Sequence, residues 1–478
     1  MSALFDLKWG LQLCFVLSVI SGFAQVNVIQ EHISTVDDYA LSVHGKFSSA
    51  INGKTYQKDA LASHQGYQYM AYYDKERHVC ISRRKLPVGP WETIRFLDYH
   101  FTSNDAHNVV SIGICPNDGT IHLAFDHHVD TLHYRVSSPG LANQPESMDW
   151  SVSSFGPVLA ELEKGKSIKI TYPKFWPTPD GNLQFNYRRR GSGNGDRMLV
   201  DYDGKTGKWT NTRQIDAAKG IFKDELGESD SRCSYPNGYD YDSAGRLHTT
   251  LVWRESSQGA NHDLVYLFSE DQGNTWKNNS GETLTEIPHV NSPEVVVQAI
   301  PRVLGLMNDH GQAIDSKERV HVVMYHCTEA TIKAAGGTPG ELRWGPSEAK
   351  RYHHYWRDTN GEWHHFEMDM KVGNRPKIFA NENDNLIMIF GGQANKNRKE
   401  EKATSDQRDL IIAVATAKNE WKDWQIAQVV EGPFFNDMLG DVYRWKSEGI
   451  LSVFVQDTPT GIKKPSALKV IDFSFQFE

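Results

Sequence analysis

Two histidines and a tyrosine stand beside strand-like runs in the first half of the chain, at positions suited to proton transfer. His107, in DAHNVVSIGI, precedes one such run, and His128, in FDHHVDTLHYR, follows the next. A neutral imidazole near its ordinary pKa exchanges a proton close to neutral pH. Tyr172, in ITYPKFW, adds a second group that can carry a proton. These residues are candidates for general acid and base, with a structural role for either histidine equally open.

A cluster of positive charge follows in NYRRRGSGNGDR, residues 186–197. Alternation along a strand from Leu183 places Gln184, Asn186 and Arg188 on one polar face. The glycines lack the spacing and the following helix of a phosphate loop. A net charge of −9 disfavours a nucleic acid groove. An acidic sugar or a solvated arginine hairpin therefore remains.

Later segments add polar candidates without a spacing that fixes their role. They are Arg232, Tyr235, Arg254, His262 and Asp263. Metal ligands of the right type are His262 and Asp263, or His326 and Cys327 with His353 or His354. None has a characteristic metal-site spacing, so a structural metal ion is left open.

A sequence repeat indicates the strands that must position these residues. An Asp or Asn, a turn, an aliphatic residue and often a histidine recur about every 65 residues. The last positions of these units are His122, Gln184, His248, His321, Ile387 and Ser452. Each opens a run rich in β-branched and aromatic residues, which predicts a strand. The three histidines within the repeat are expected to be buried structural residues.

The segment SEDQGNTW, residues 269–276, matches the Asp-box S-x-D-x-G-x-T-W in full. In this turn the Asp accepts from backbone amides and the Trp packs between strands. An earlier unit, QGYQYMAYYD, brings the number of repeats to seven. The sequence therefore predicts an all-β protein, a seven-bladed β-propeller over residues 26–478 in a single domain, with six or eight blades as the alternatives.

The first 24 residues carry one lysine, the apolar run LQLCFVLSVI and a small-residue end, which together predict a signal peptide. We therefore expect a secreted or periplasmic protein. No later segment is long and apolar enough to span a membrane, so no membrane association is expected after cleavage. The other four cysteines are scattered, which indicates neither a zinc ribbon nor a dense disulfide framework.

At this point the chain resembles the BNR-repeat seven-bladed propeller family that includes secreted bacterial ulvan lyases. The segments that carry the resemblance are GYQYMAYYDKERHVCISRRKLP, DAHNVVSIGICPNDGTIHLAFDHHVDTLHYR, TYPKFWPTPDGNLQFNYRRRGSGNGD, RCSYPNGYDYDSAGRLHTTLVWRE, NHDLVYLFSEDQGNTW and HHYWRDTNGEW. They cover most of the chain after the predicted signal peptide.

By this resemblance, His107, His128, Tyr172 and Arg188 line a cleavage site. We expect Arg188 to hold a uronate carboxylate, His107 to act as base, Tyr172 as acid and His128 as a supporting or alternate acid or base. The base and acid labels remain interchangeable. Further substrate contacts are expected from Asn108, His127, Arg189, Tyr235 and His262.

The implied function is a polysaccharide lyase that cleaves an anionic sulfated algal polysaccharide by β-elimination, leaving an unsaturated uronyl end. Such chemistry requires no cofactor. We expect a monomer that binds no nucleic acid. The alternatives are a sialidase-like propeller hydrolase, which would use Arg188, Arg232 and Arg254 on one carboxylate, and a non-catalytic carbohydrate-binding propeller.

Overall fold

The computed structural model describes residues 26–43, 50–256, 259–392, 408–435, 437–461 and 463–478. The predicted signal peptide lies outside these ranges. Within them no helix is both long and apolar enough to cross a membrane. Cys80, Cys115, Cys233 and Cys327 are buried free thiols.

The described residues form thirty strands and two short α-helices. The first fifteen strands are β1 (Val26–Ala40), β2 (Leu61–His64), β3 (Tyr67–Tyr73), β4 (His78–Lys85), β5 (Glu92–His100), β6 (Val110–Ile114), β7 (Ile121–Phe125), β8 (His128–Thr131), β9 (Tyr134–Val136), β10 (Lys169–Pro177), β11 (Leu183–Arg189), β12 (Asp196–Asp203), β13 (Lys208–Asp216), β14 (Phe222–Asp224) and β15 (Gly227–Ser229). The others are β16 (Arg232–Tyr241), β17 (Leu247–Glu255), β18 (Asn261–Ser269), β19 (Val296–Gln298), β20 (Gly311–Ile314), β21 (Val320–His326), β22 (Arg351–Arg357), β23 (Trp363–Lys371), β24 (Lys377–Ala380), β25 (Leu386–Gly392), β26 (Arg408–Ala415), β27 (Gln425–Phe434), β28 (Leu439–Gly440), β29 (Leu451–Gln456) and β30 (Ser466–Phe477). The helices are α1 (Glu329–Ala334) and α2 (Val442–Glu448).

Twenty-eight of the described strands build seven antiparallel sheets, which confirms the seven-bladed propeller, and β14 pairs with β15 in a separate two-stranded sheet. Blade 1 is β2–β5, blade 2 is β6, β7 and β9, and blade 3 is β10–β13 with β8 added on its β10 edge. Blades 4, 5 and 6 are β16–β19, β20–β23 and β24–β27. Blade 7 joins β28, β29 and β30 to the N-terminal β1. Pairing of β1 with β30, from Val26 opposite Phe477 to Ala40 opposite Ser466, closes the ring with the two ends of the described chain.

The sequence repeat corresponds to the second strand of each of blades 2 to 7. All six anchor positions lie on β7, β11, β17, β21, β25 or β29. The repeat histidines are buried and bonded inside their blades, as expected: His248 contacts Asp242 of its preceding turn, and His321 contacts Asp315. The period of about 65 residues is therefore one blade.

The Asp-box forms the predicted turn after β18. The Asp271 carboxylate accepts hydrogen bonds from the backbone N–H and the hydroxyl of Thr275, at 2.8 and 2.7 Å. Trp276 is 4% exposed and packs in the core of blades 3 and 4. One short motif thus supplies both Asp271, which stabilises the turn, and Trp276, which packs in the core.

Residues 50–59, which we call the channel plug, cross the centre of the ring ahead of β2. Hydrogen bonds join the plug to six blades. Gln57 donates to the carbonyls of Ala71 in blade 1 and Val110 at blade 2, and Lys58 donates to the Pro236 carbonyl in blade 4. Thr55 donates to the Asp309 carbonyl at blade 5 and, through its N–H, to the Asp437 carboxylate at blade 7, and it accepts a hydrogen bond from Lys377 of blade 6. The Tyr56 ring completes the set by contacting Tyr172 of blade 3 at 5.1 Å between centroids. A short 3₁₀ turn, Thr55–Gln57, holds the segment compact.

Candidate active site

A cleft of about 430 Å³ opens at the end of the propeller where the first strands of the blades begin. All four predicted catalytic residues, His107, His128, Tyr172 and Arg188, line it. They come from the loop before β6 and from β8, β10 and β11, so neighbouring blades 2 and 3 supply them. The structure therefore brings together residues that lie up to 81 positions apart in the chain.

Asp105, which the sequence analysis missed, connects the two histidines. Its Oδ1 lies 2.5 Å from His107 Nδ1 and its Oδ2 lies 2.7 Å from His128 Nδ1. Burial alone would raise the pKa of Asp105, but the hydrogen bonds from the two imidazoles hold that pKa well below its usual value. An ionised carboxylate only accepts hydrogen bonds, so both histidines carry a proton on Nδ1. Nε2 is then the nitrogen through which each ring exchanges a proton.

The position of His128 depends on an unusual strand. After β7 the chain leaves blade 2, and β8 pairs with β10 of blade 3, with His128 opposite Thr171. Val129 adopts a φ of 70°, a rare conformation for a β-branched residue, and its N–H donates to Thr171 Oγ1 at 2.8 Å. The strain and the extra strand together bring His128 beside His107, with ring centroids 4.2 Å apart.

Tyr172 projects from a β-bulge. The pairing of β10 with β11 shifts register between Thr171 and Lys174, and Tyr172 has a φ of 58°. A bulge redirects a side chain out of the regular strand pattern, and such strain concentrates at functional sites. Burial raises the pKa of the Tyr172 hydroxyl well above its ordinary value despite the nearby Arg188. Tyr172 therefore keeps its proton at neutral pH.

Arg188 extends from the polar face of β11, as the alternation predicted, while Leu183, Phe185 and Tyr187 enter the core. Its side chain is buried, with the residue only 3% exposed, and its Nη1 donates to the Tyr235 hydroxyl at 3.2 Å. Within the part of the chain that the structure describes, Nε and Nη2 have no hydrogen-bond partner. Within the described residues no carboxylate lies within ion-pair distance of it. A buried cation with unused donors is expected to bind an anion.

The glycines of the arginine-rich segment form the β11–β12 hairpin, and one of them makes room for Arg188. A Cβ on Gly195 would lie 2.6 Å from Arg188 Cδ. Gly193 has a φ of 83°, which favours glycine. The structure thus supports the interpretation that these glycines form a hairpin turn.

Tyr56 of the channel plug is a second cleft residue that the sequence analysis missed. Its ring stacks on His107 with centroids 4.6 Å apart and an interplanar angle of 16°. His128 stacks on the same imidazole, so His107 is enclosed between two rings. Burial lowers the pKa of His107 below its ordinary value, which keeps the imidazole neutral. No repeat or motif marks Tyr56, because it lies in a segment between blades.

Three further arginines and a tryptophan line the cleft and were not predicted as a group: Arg254, Arg343, Arg375 and Trp344. Arg375 donates to the Asn308 carbonyl at 2.7 Å and lies 5.7 Å above the Tyr56 ring. The residues that line the cleft, as far as the structure describes them, include no aspartate or glutamate. The cleft is therefore strongly positive although the chain is acidic.

Of the predicted substrate contacts, only Tyr235 lines the cleft. Asn108 is buried and donates to Asp126, and His127 is fully buried, its Nε2 accepting from the His133 N–H at 2.8 Å. His262 lies buried between Glu255 and Asp263. Arg189 is half-exposed and pairs with Asp196 at 3.0 Å. These four side chains lie outside the cleft because each is held by another partner.

The remaining arginines of the hairpin are also occupied. Arg190 pairs with the same Asp196 carboxylate, and the buried Arg197 pairs with Asp216. The positive cluster seen in the sequence therefore contributes one residue, Arg188, to the cleft.

The predicted metal ligands do not gather into one site. In the described ranges, two groups have three ligand atoms within 4.8 Å of one another: Asp105, His107 and His128, and Asp358, Glu362 and His364. In the first group both Asp105 oxygens already accept from imidazoles. The second group lies outside the cleft and none of the metal candidates named from the sequence belongs to it.

The arrangement required of a sialidase-like hydrolase is not formed. Arg232 is fully buried, pairs with Glu255 at 2.8 Å and donates to four backbone carbonyls. It cannot join Arg188 and Arg254 on one substrate carboxylate. Among the residues that the structure describes, those lining the cleft include no pair of carboxylic acids of the kind that most glycoside hydrolases use.

Comparisons with known proteins agree with this fold. An ulvan lyase, long isoform, from Alteromonas sp. is 26% identical over 290 residues, which are 50% of this chain and 28% of the relative. A second, from Glaciecola sp. (strain KUL10), is 22% identical over 501 residues, 91% of this chain and 45% of the relative. The chain thus spans less than half the length of either relative.

Solved structures share the architecture. The crystal structure of polysaccharide lyase Uly1 aligns with a TM-score of 0.71 at 18% identity, covering 93% of this chain and 99% of that one. A PL25 ulvan lyase bound to -[GlcA(1-4)Rha3S]- aligns with a TM-score of 0.64 at 10% identity, covering 91% and 94%. At these identities the likeness establishes the fold.

The model of the family described as BNR repeat-containing matches residues 67–370, which are well over half of the chain and include His107, His128, Tyr172 and Arg188. The protein therefore belongs to the BNR repeat-containing family.

Proposed function

We propose that the protein is a polysaccharide lyase that cleaves ulvan at a uronic acid by β-elimination and is exported by its N-terminal segment. The proposal rests mainly on the surroundings of Arg188. This residue is a buried guanidinium with two unused nitrogens, placed against Tyr172 and near the Asp105-linked histidines. The names of the relatives support the substrate, since they are ulvan lyases.

The role of Arg188 follows from the weak acidity of the C5–H bond of a uronate. Removing this proton places further negative charge beside a carboxylate. A guanidinium can bind both carboxylate oxygens, and in a site shielded from water it stabilises this charge without reorganising. The donors of Arg188 that lack protein partners are available for such a contact.

The hydrogen bonds of the site favour the histidines as base and Tyr172 as acid. With Nδ1 of both rings donating to Asp105, a neutral imidazole offers a lone pair at Nε2 and no proton there to give. Tyr172 holds its proton because burial raises its pKa. We assign His107 as the base, with His128 as the supporting group that shares Asp105.

The steps balance without water as a reactant. His107 takes the C5 proton, the C4–O4 bond breaks as the C4–C5 double bond forms, and Tyr172 protonates the departing oxygen. The imidazolium then returns its proton to the tyrosinate, whose ring centroid lies 5.8 Å from that of His107. Each of these proton transfers is worth about 10²- to 10⁴-fold in rate.

Incubation of the purified protein with ulvan tests the proposal. A lyase produces a rising ultraviolet absorbance from the conjugated unsaturated uronyl group together with new reducing ends. New reducing ends without that absorbance would indicate a hydrolase. Binding to ulvan without either product would indicate a carbohydrate-binding propeller.

A further inference from the structure

A second cavity, of about 220 Å³, lies in the central channel on the other side of the channel plug from the cleft. Its walls include the later residues of strands whose earlier residues line the cleft. In β10, Tyr172 lines the cleft and Trp176 lines the cavity, and in β16 Tyr235 and Tyr239 are divided in the same way. Helix α2 lies at the edge of the cavity with the exposed Lys446. We call this cavity the lower chamber.

The channel plug supplies the lower chamber with a carboxyl group that the protein leaves unsatisfied. Tyr56 of the plug lines the cleft, whereas Asp59 lines the lower chamber. Asp59 is 9% exposed, and within the described residues its Oδ2 is buried without a hydrogen-bond partner. The other carboxylate that lines the chamber, Asp240, already accepts from Gln312 Nε2 at 2.9 Å. Burying an unsatisfied carboxyl group costs free energy, which a ligand that hydrogen-bonds to Asp59 would recover.

The charged side chains that line the lower chamber are of both signs. Lys174 lies 5.5 Å above the ring of Tyr239, and among the described residues no carboxylate lies within ion-pair distance of it. Burial raises the pKa of Asp59, while the charges of Lys174 and Lys58 lower it. These lysines oppose the binding of a cation, and Asp59 with Asp240 opposes the binding of an anion. The chamber therefore favours a neutral ligand that can pair with both a carboxyl and an ammonium group.

Hydroxyl groups meet both requirements, because a hydroxyl donates one hydrogen bond and accepts others. One hydroxyl can donate to Asp59 while another accepts from Lys174. The volume lies below the roughly 300–1,000 Å³ of sites for drug-sized ligands, so the chamber admits one small ring. Aromatic side chains form much of the remaining wall and suit the apolar face of such a ring: Trp176, Tyr239, Tyr241, Phe379 and Tyr443.

We propose that the lower chamber binds one neutral sugar ring, with Asp59 and Lys174 holding its hydroxyl groups against the aromatic wall. The site is non-catalytic, since the residues assigned to the reaction line the cleft. It is separate from the proposed lyase activity and stands whether or not the protein cleaves ulvan.

Calorimetric titration with L-rhamnose, D-xylose and D-glucose tests the proposal. We expect at least one of these sugars to bind at one site per chain with a millimolar Kd. Asp59→Asn keeps the shape of the side chain and should weaken this binding about tenfold, as for loss of a hydrogen bond to a charged group. Absence of binding by all three sugars would contradict the proposal.

Two control variants separate the lower chamber from other surfaces. Asp38→Asn makes the same change on an exposed residue of β1 and should bind the sugar as the wild type does. Arg188→Ala alters the cleft and should also bind it normally. Binding that is retained in Asp59→Asn, or lost in Arg188→Ala, would overturn the assignment to the chamber.

D-Glucuronate and D-glucosamine test the inferred neutrality of the ligand, because each adds one charge to the same kind of ring. Both should bind more weakly than the neutral sugars. Equal or tighter binding of either would contradict the assignment of a neutral sugar.

Crystals of the wild-type protein soaked in the bound sugar locate the site without any variant. A sugar ring within hydrogen-bond distance of the Asp59 carboxyl group supports the proposal. A ring found only in the cleft, or an empty chamber at a sugar concentration well above Kd, would refute it.

Discussion

Arg188 differs from the arginines beside it in the sequence only by its surroundings. Arg189 and Arg190 share the Asp196 carboxylate, whereas Arg188 is buried with Nε and Nη2 unpaired. A buried charge without a partner destabilises the unliganded protein, so its retention makes sense where a ligand supplies the counter-charge.

Arg188→Ala is expected to lower kcat/KM on ulvan by at least about 10²-fold, because the transition state loses its carboxylate partner. The thermal unfolding midpoint should not fall, since an unpaired buried charge is removed. Arg188→Lys should not restore activity, because an ammonium lacks the planar fork. Activity near the wild-type level in the alanine variant would remove Arg188 from the mechanism.

Asp105 predicts a pH effect of defined sign. The base must be neutral, so kcat/KM falls as the pH drops through the pKa of His107, which lies below the ordinary histidine value. The hydrogen bond and charge of Asp105 raise this pKa against the larger effect of burial. In Asp105→Asn the acidic limb should therefore move to lower pH while the plateau falls, and pH–rate profiles of both proteins measure it. A limb that moves to higher pH would contradict the assignment.

At the scale of elements, the β11–β12 hairpin positions the cation. Gly195→Ala would place a methyl group 2.6 Å from Arg188 Cδ and should displace the guanidinium. We expect a loss of kcat/KM on ulvan approaching that of Arg188→Ala, with the fold retained by circular dichroism.

Gly191→Ala in the same hairpin is the matched control, because a Cβ there meets nothing within 4 Å. It should keep wild-type activity. Equal behaviour of the two alanine variants would show that the close approach at Gly195 is unimportant.

The strands were predictable and the connections were not. Alternation from Leu183 placed Arg188 correctly because a strand has a fixed period, and the turn-to-strand repeat marked six of the seven second strands. Asp105, Tyr56 and Arg343 lie between strands, where no period applies. His127 and His128 are adjacent and chemically identical, and only the departure of β8 to blade 3 separates a buried ring from a cleft residue.

At the scale of the molecule, the ring depends on one pairing between the two ends of the described chain. Without β1 (Val26–Ala40), the edge of β30 in blade 7 is exposed. Deletion of residues 26–40 should lower the thermal unfolding midpoint by several degrees and promote aggregation, measured by calorimetry and light scattering. An unchanged midpoint would show that closure by β1 contributes little.

The channel plug links closure of the ring to assembly of the cleft. Tyr56 reaches His107 only through a segment whose hydrogen bonds and ring contact involve every blade, and that segment follows β1 in the chain. An open or partly assembled ring would therefore lack the floor of its own cleft. Turnover would then begin only when folding is complete, so that catalytic activity itself reports that the last blade has been locked in place.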